Sequence, residues 1–290
     1  MASPPENICA VGAILGEGPV WSDSEAVLWF VDIKDRRIHR FDPDLSLLTS
    51  WPAPAQPGWV LPTSDGGWLA GLQTGVHRFD PRSGAFEPLF APEQDRPGNR
   101  LNDATVDARG RLWLGSMDDA EEHPTGRVYR FDGALTACDI PPAVITNGPA
   151  FSPDGRTLYH VETLSRRLWA FPLSSDGALG EPHLFAEIED GAGYPDGPTV
   201  DAEGHLWIGL FGGWGVRRYD PDGKLVETVR FPVANVTKIA FGGPDLTTAF
   251  ATTARKGLDA TALAAQPLAG DLFRFDTGVK GMRTRRIRLP

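Results

Sequence analysis

Along this chain apolar residues recur at alternate positions in short runs, and Gly, Pro and Asp interrupt those runs every few residues. A period of two sets successive side chains on opposite faces of a strand, whereas a helix would repeat every 3.6 residues. The pattern therefore predicts short strands joined by tight turns and excludes helical repeats. One phrase, an alternating strand closing on an aromatic residue and Asp, returns as RIHRFDP (37–43), GVHRFDP (75–81), RVYRFD (127–132), GVRRYDPDG (215–223) and GDLFRFD (270–276). RLWAFPL (167–173) is a sixth copy without the Asp, and the copies are spaced by roughly 40 to 55 residues. A second phrase, GRLWLG (110–115), matches GHLWIG (204–209) and more loosely GGWLAG (66–71). Each unit also carries an earlier strand, as in GPVWSD, GPAFSPDG and GPTVDAEG, so a unit holds three strands and most simply four. Four-stranded units repeated around a ring describe an all-β fold, a six-bladed β-propeller with four-stranded antiparallel blades. It is expected to form one domain over 1–290, with blades from about residue 17. A strand from ICAVGAI or from TRRIRL is expected to close the ring, and the sequence does not choose between them.

Composition narrows the function. The formal charge of −10 argues against nucleic acid or an anionic membrane as partner, since both call for a basic face. No apolar run approaches the ~20 residues needed to span a bilayer. Cys9 and Cys138 stand far apart and in no metal-binding spacing, which fits a reduced, cytoplasmic protein. MASPPENICAVGAILG has no basic region ahead of its apolar stretch, so no secretory signal is expected.

Candidate chemistry lies in one slot of the repeat. Asn102, Asn147 and Asp196 each stand eight residues before the Gly of the next turn (Gly110, Gly155, Gly204), and Glu17 shares the slot through its Gly-Pro-Val-Trp continuation. The first strand of a propeller blade runs beside the central channel, so four blades aim these side chains at one mouth. Asp and Asn before Gly often serve only the turn. That explanation covers Asp65, Asp154 and Asp222 but not Glu17, and it does not account for the recurrence at one slot. Two converging carboxylates without a cation would repel until one took up a proton. An all-oxygen set suits one divalent cation, Ca²⁺, Mg²⁺, Mn²⁺, Fe²⁺ or Zn²⁺, and three protein ligands leave positions for water and substrate.

LGEGPVW, NRLNDATVDARGRLWLGSM, ITNGPAFSPDGRTLYH, YPDGPTVDAEGHLWIGLFGG and FGGPDL…ATTARKGL together resemble the senescence marker protein (regucalcin), gluconolactonase and luciferin-regenerating enzyme family, in order, from about residue 10 to 276. VDIKDRRIHRF, GLQTGVHRF and NDATVD look most like bacterial sugar lactonases of the xylonolactonase and arabinonolactonase type. The resemblance implies a six-bladed propeller that hydrolyses a sugar lactone with one divalent metal. It places the metal ligands at Glu17, Asn147 and Asp196, substrate contacts at Arg100, Asn102 and Glu121, and a mobile loop at MDDAEEHPTG. Asp196 is then the expected base. HVET carries Glu162 where many relatives have Asp. The expected partner is a small sugar lactone and the expected state a monomer. The alternative is a non-enzymatic, calcium-binding regulatory propeller of the regucalcin type, since the fold alone does not decide function.

Other motifs add little. There is no Gly-x-Ser-x-Gly elbow and no His pair at zinc-protease spacing. FGGWGV (211–216) precedes no helix and is expected to be a tight loop. KGMRTRRIR is expected to be a solvated edge strand. Hydrolysis of organophosphates or aryl lactones would call for a more apolar mouth than Arg100, Asn102 and Glu121 provide.

Overall fold

A computed structural model describes residues 1–290 as six four-stranded antiparallel sheets and one short helix, Ala260–Ala265. The inner strands of the six blades are Gly16–Ser22, Pro57–Pro62, Asn99–Val106, Thr146–Phe151, Tyr194–Val200 and Val236–Gly242. Blades one to five each take four consecutive strands outward from the inner one. In blade six the outermost strand is Glu6–Cys9, paired antiparallel with Leu272–Asp276. The N-terminal segment thus closes the ring and ties its two ends together.

The C-terminal stretch does something else. It forms no edge strand but crosses the far end of the channel, where Ile287 is fully buried. Its backbone bonds to four blades: Ser64 N to Ile287 O (2.8 Å), Arg288 N to Gly110 O (2.8 Å), Ala202 N to Lys280 O (2.8 Å) and Gly281 N to Leu246 O (2.8 Å). The basic residues that suggested a solvated strand flank this seal.

Six apolar clusters hold the ring, and each lies between two neighbouring blades. The repeated Trp sits at the centre of this packing. Trp113 and Trp207 are fully buried, and each donates its indole N–H to an Asp six residues earlier, Asp107 or Asp201, at 2.9 Å. Burying such a ring contributes about 3 kcal/mol, and the Asp satisfies the N–H that would otherwise cost part of that gain.

Candidate metal centre and lactone pocket

Each of the four slot residues lies within its inner strand, at a bulge, rather than ahead of it. Pairing slips between Glu17 and Val20, Leu101 and Ala104, Asn147 and Ala150, and Pro195 and Pro198. A bulge turns the strand and re-aims a side chain, here into the channel mouth. The glycines that follow have two separate reasons. Gly18 and Gly148 adopt positive φ (56° and 79°), whereas at Gly197 a Cβ would lie 2.5 Å from Cδ of Lys238.

Glu17, Asn147 and Asp196, from blades one, four and five, line one cavity of about 250 Å³ together with Arg100, Asn102 and Glu121. All six sequence-predicted residues therefore meet. Glu17, Asn147 and Asp196 are nearly fully buried. Asn147 Nδ2 donates to Asp196 Oδ1 (2.9 Å) and to Thr163 Oγ1 (3.0 Å), while Asn147 Oδ1 accepts from Asn102 Nδ2 (3.0 Å). Burial and the charge of Asp103 push the Glu17 carboxyl up to about 7, and burial and the charge of Glu17 push Asp196 up as well. The two carboxyl groups are close enough to hydrogen-bond to each other. Two buried carboxyls that must share a proton fit a divalent cation, which removes the repulsion that keeps the proton there. A half-turn of the Asn147 amide would present a third oxygen.

The neighbouring polar wall is organised from behind. Arg100 is buried, and its guanidinium donates to Asp119 Oδ1 (2.9 Å), Leu101 O (3.2 Å) and Asn102 Oδ1 (2.7 Å). Asn102 Nδ2 also donates to Thr146 O (2.8 Å), so that side chain is held at both ends. Burial would raise Asp119, but hydrogen bonds from Lys34 and Gln56 and the charge of Arg100 hold it at about 2. Glu121, with φ of 63°, pairs with Lys256 from the loop after the second strand of blade six.

Several contributors were not evident in the sequence. Thr163, not Glu162, is the blade-four side chain that reaches Asn147. Asp103 and Lys238, one residue beyond the slot in opposite blades, form a buried pair across the channel at 2.5 and 2.7 Å, and Asp103 also accepts from Gly148 N at 3.0 Å. The mouth is more apolar than Arg100, Asn102 and Glu121 alone suggest. Leu15, Met117, Ile145, Leu164, Tyr194 and Phe211 line the same cavity. RLNDATVD and ATTARKGL held the signals for Asp103 and Lys256, as the acid beside the Asn slot and the cation of the last quoted motif.

A second acidic group, Asp201, Glu203 and His205, has its donor atoms within 4.8 Å of one another. Its oxygens are engaged already: Asp201 accepts from Trp207 Nε1 and from Arg218 (2.9 and 2.7 Å), and Glu203 accepts from Arg218 (2.7 Å). Arg218 supplies the positive charge there.

Residues 15–255 match the SMP-30/Gluconolactonase/LRE-like region, and the chain belongs to that family. It is 38% identical to an L-arabinolactonase of Azospirillum brasilense, covering 94% of this chain and 92% of that one. It is 34% identical to a 6-deoxy-6-sulfogluconolactonase of Pseudomonas putida, covering 93% of each. A calcium-binding regucalcin from Agrobacterium tumefaciens superposes with a TM-score of 0.94 at 31% identity, over 99% of this chain and 98% of that one. No helix is long and apolar enough to cross a membrane.

Proposed function

We propose that this chain hydrolyses a sugar lactone, most simply a pentonolactone such as xylonolactone or arabinonolactone, to the aldonic acid. One divalent cation would be held by Glu17, Asn147 and Asp196. The observation that carries this reading is the convergence of those three side chains in one cavity with Arg100, Asn102 and Glu121 beside them. The relatives named as lactonases support the same substrate class.

A bound cation supplies Lewis acidity toward the lactone carbonyl and offsets charge as it develops. Asp196 accepts a proton from the attacking water, whose oxygen bonds to the carbonyl carbon. The ring C–O bond then breaks, and the proton passes to the departing ring oxygen, leaving a hydroxy acid. Asn102, fixed by Arg100, and Glu121 hold sugar hydroxyls, while the apolar wall packs against the C–H face of the ring. Asp103 and Lys238 keep the channel below filled and neutral.

The similarity to a calcium-binding regucalcin favours a second reading, a propeller that binds the cation and turns nothing over. A panel of xylono-, arabinono-, galactono- and gluconolactone, run after chelation and after add-back of each metal, separates the two. Metal-dependent acid release from at least one pentonolactone is expected. Tight calcium binding without release from any lactone would replace the first reading with the second.

A further inference from the structure

Two cationic side chains line the cavity, Arg100 and Lys256. Arg100 is committed to the fold of the site, through Asp119, Leu101 O and Asn102. Lys256 differs, because its one partner, Glu121, is itself a cavity residue. The pair spans the mouth between blades three and six, 135 positions apart, with side chains 30% and 33% exposed. The backbone of Lys256 is fixed. Its N–H donates to Ile14 O (2.8 Å), and its carbonyl accepts from the buried Asn235 Nδ2 (3.0 Å). Only the flexible stem is free to swing, and a partly solvated ion pair contributes too little to hold it. Lys256 and Asp196 line the same cavity.

The reaction makes one charge. A neutral lactone and water become an aldonate and a proton, so a carboxylate arises in a cavity already lined by Glu17, Glu121 and Asp196. A neutral lactone offers Lys256 nothing in exchange for Glu121, whereas the acid does. We propose that Lys256 leaves Glu121 on ring opening and receives the new carboxylate, so that the Lys256–Glu121 pair distinguishes product from substrate. The inference rests on the lactonase reading and deepens it.

Calorimetric titration with the aldonate of the preferred pentonolactone, in one divalent-metal buffer at neutral pH, tests it. Lys256→Met should weaken aldonate binding about tenfold or more, with the KM for the lactone changing less than about threefold. Glu121→Gln should shift binding several-fold toward the aldonate relative to the lactone, because Lys256 loses its charged competitor while the sugar hydroxyls are common to both. Lys256→Arg should stay within about threefold of the wild type. Equal aldonate affinity in Lys256→Met and wild type overturns the proposal. So does a parallel loss for lactone and aldonate in Lys256→Met, which marks the pair as structural. If the wild type hydrolyses lactones while Lys256→Met keeps its aldonate affinity, this inference alone fails. If the wild type neither opens a lactone nor binds its acid, the lactonase reading fails and takes the inference with it.

Discussion

Asp196, near the start of the inner strand Tyr194–Val200, and Asp201, just past its end, stand five residues apart, and both are almost wholly buried. Asp201 accepts from two backbone N–H groups, an indole N–H and a guanidinium, so every lone pair has a protein donor. Asp196 accepts from the Asn147 amide and otherwise meets the Glu17 carboxyl, whose charge repels its own. A carboxylate that the chain has satisfied serves the fold, and one that it has left short of donors awaits a ligand. The same contrast divides blade three, where Asp107 holds Trp113 and Arg111 while Asn102 faces the cavity.

The largest expected effect falls on the ligand-facing end. Asp196→Asn keeps an oxygen for a cation but cannot accept a proton, so kcat should drop by ~10²–10⁴ even at saturating metal. Rate measurements across rising metal concentration check this. Near-wild-type turnover at saturation would remove Asp196 from the role of base and leave it a ligand only.

Asp201→Ala should do the reverse. It strips a buried partner from Arg218 and Trp207, and such losses cost about 3–5 kcal/mol of stability. Urea unfolding should show that loss, while the protein that remains folded should bind one cation per chain and retain its KM. Loss of the cation in Asp201→Ala, with stability intact, would move the metal centre to the other end of the strand.

Much of this contrast was legible in the sequence, because both ends of the strand repeat. The period of two and the returning Trp and Asp located the blades, since each blade must bury the same stripe against its neighbour. The slot stood out because Glu17 is a poor turn former at a position where other blades use Asn or Asp. What escaped lies where the repeat is broken. Lys238 follows Thr237 in a blade whose slot side chain bonds to Gly16 O and Thr252, with no Gly-Pro to mark the place. The apolar wall is drawn from residues scattered from Leu15 to Phe211, and no local pattern joins them. Either terminus had the alternation of a closing strand. Pairing with Leu272–Asp276 chose the first, and the second became the channel seal.

The smallest effect, about 3 kcal/mol, sharpens the comparison by pH. Burial and Asp103 raise Glu17 to about 7 in the folded chain, against about 4.3 when unfolded. Between those values the folded protein holds a proton that the unfolded chain has released, so without metal this group costs stability as pH rises through the window. Asp119, at about 2, makes its contribution in full above about pH 4 and lies outside it. His39 and His160, lowered to about 4 by burial, act in the opposite sense between about 4 and 6.5, so the profile of the wild type alone mixes the terms. The difference between Glu17→Gln and wild type isolates the site, because the amide resembles the protonated acid. With chelator present, Glu17→Gln should match the wild type near pH 4.5 and exceed it by about 3 kcal/mol at pH 8. Adding a divalent cation at pH 8 should reverse that advantage, since only the wild type gains a charged ligand. A constant difference across the range, unmoved by metal, would mean that Glu17 is as well satisfied by the chain as Asp201 is, and the contrast between the two ends of the channel would no longer mark a metal centre.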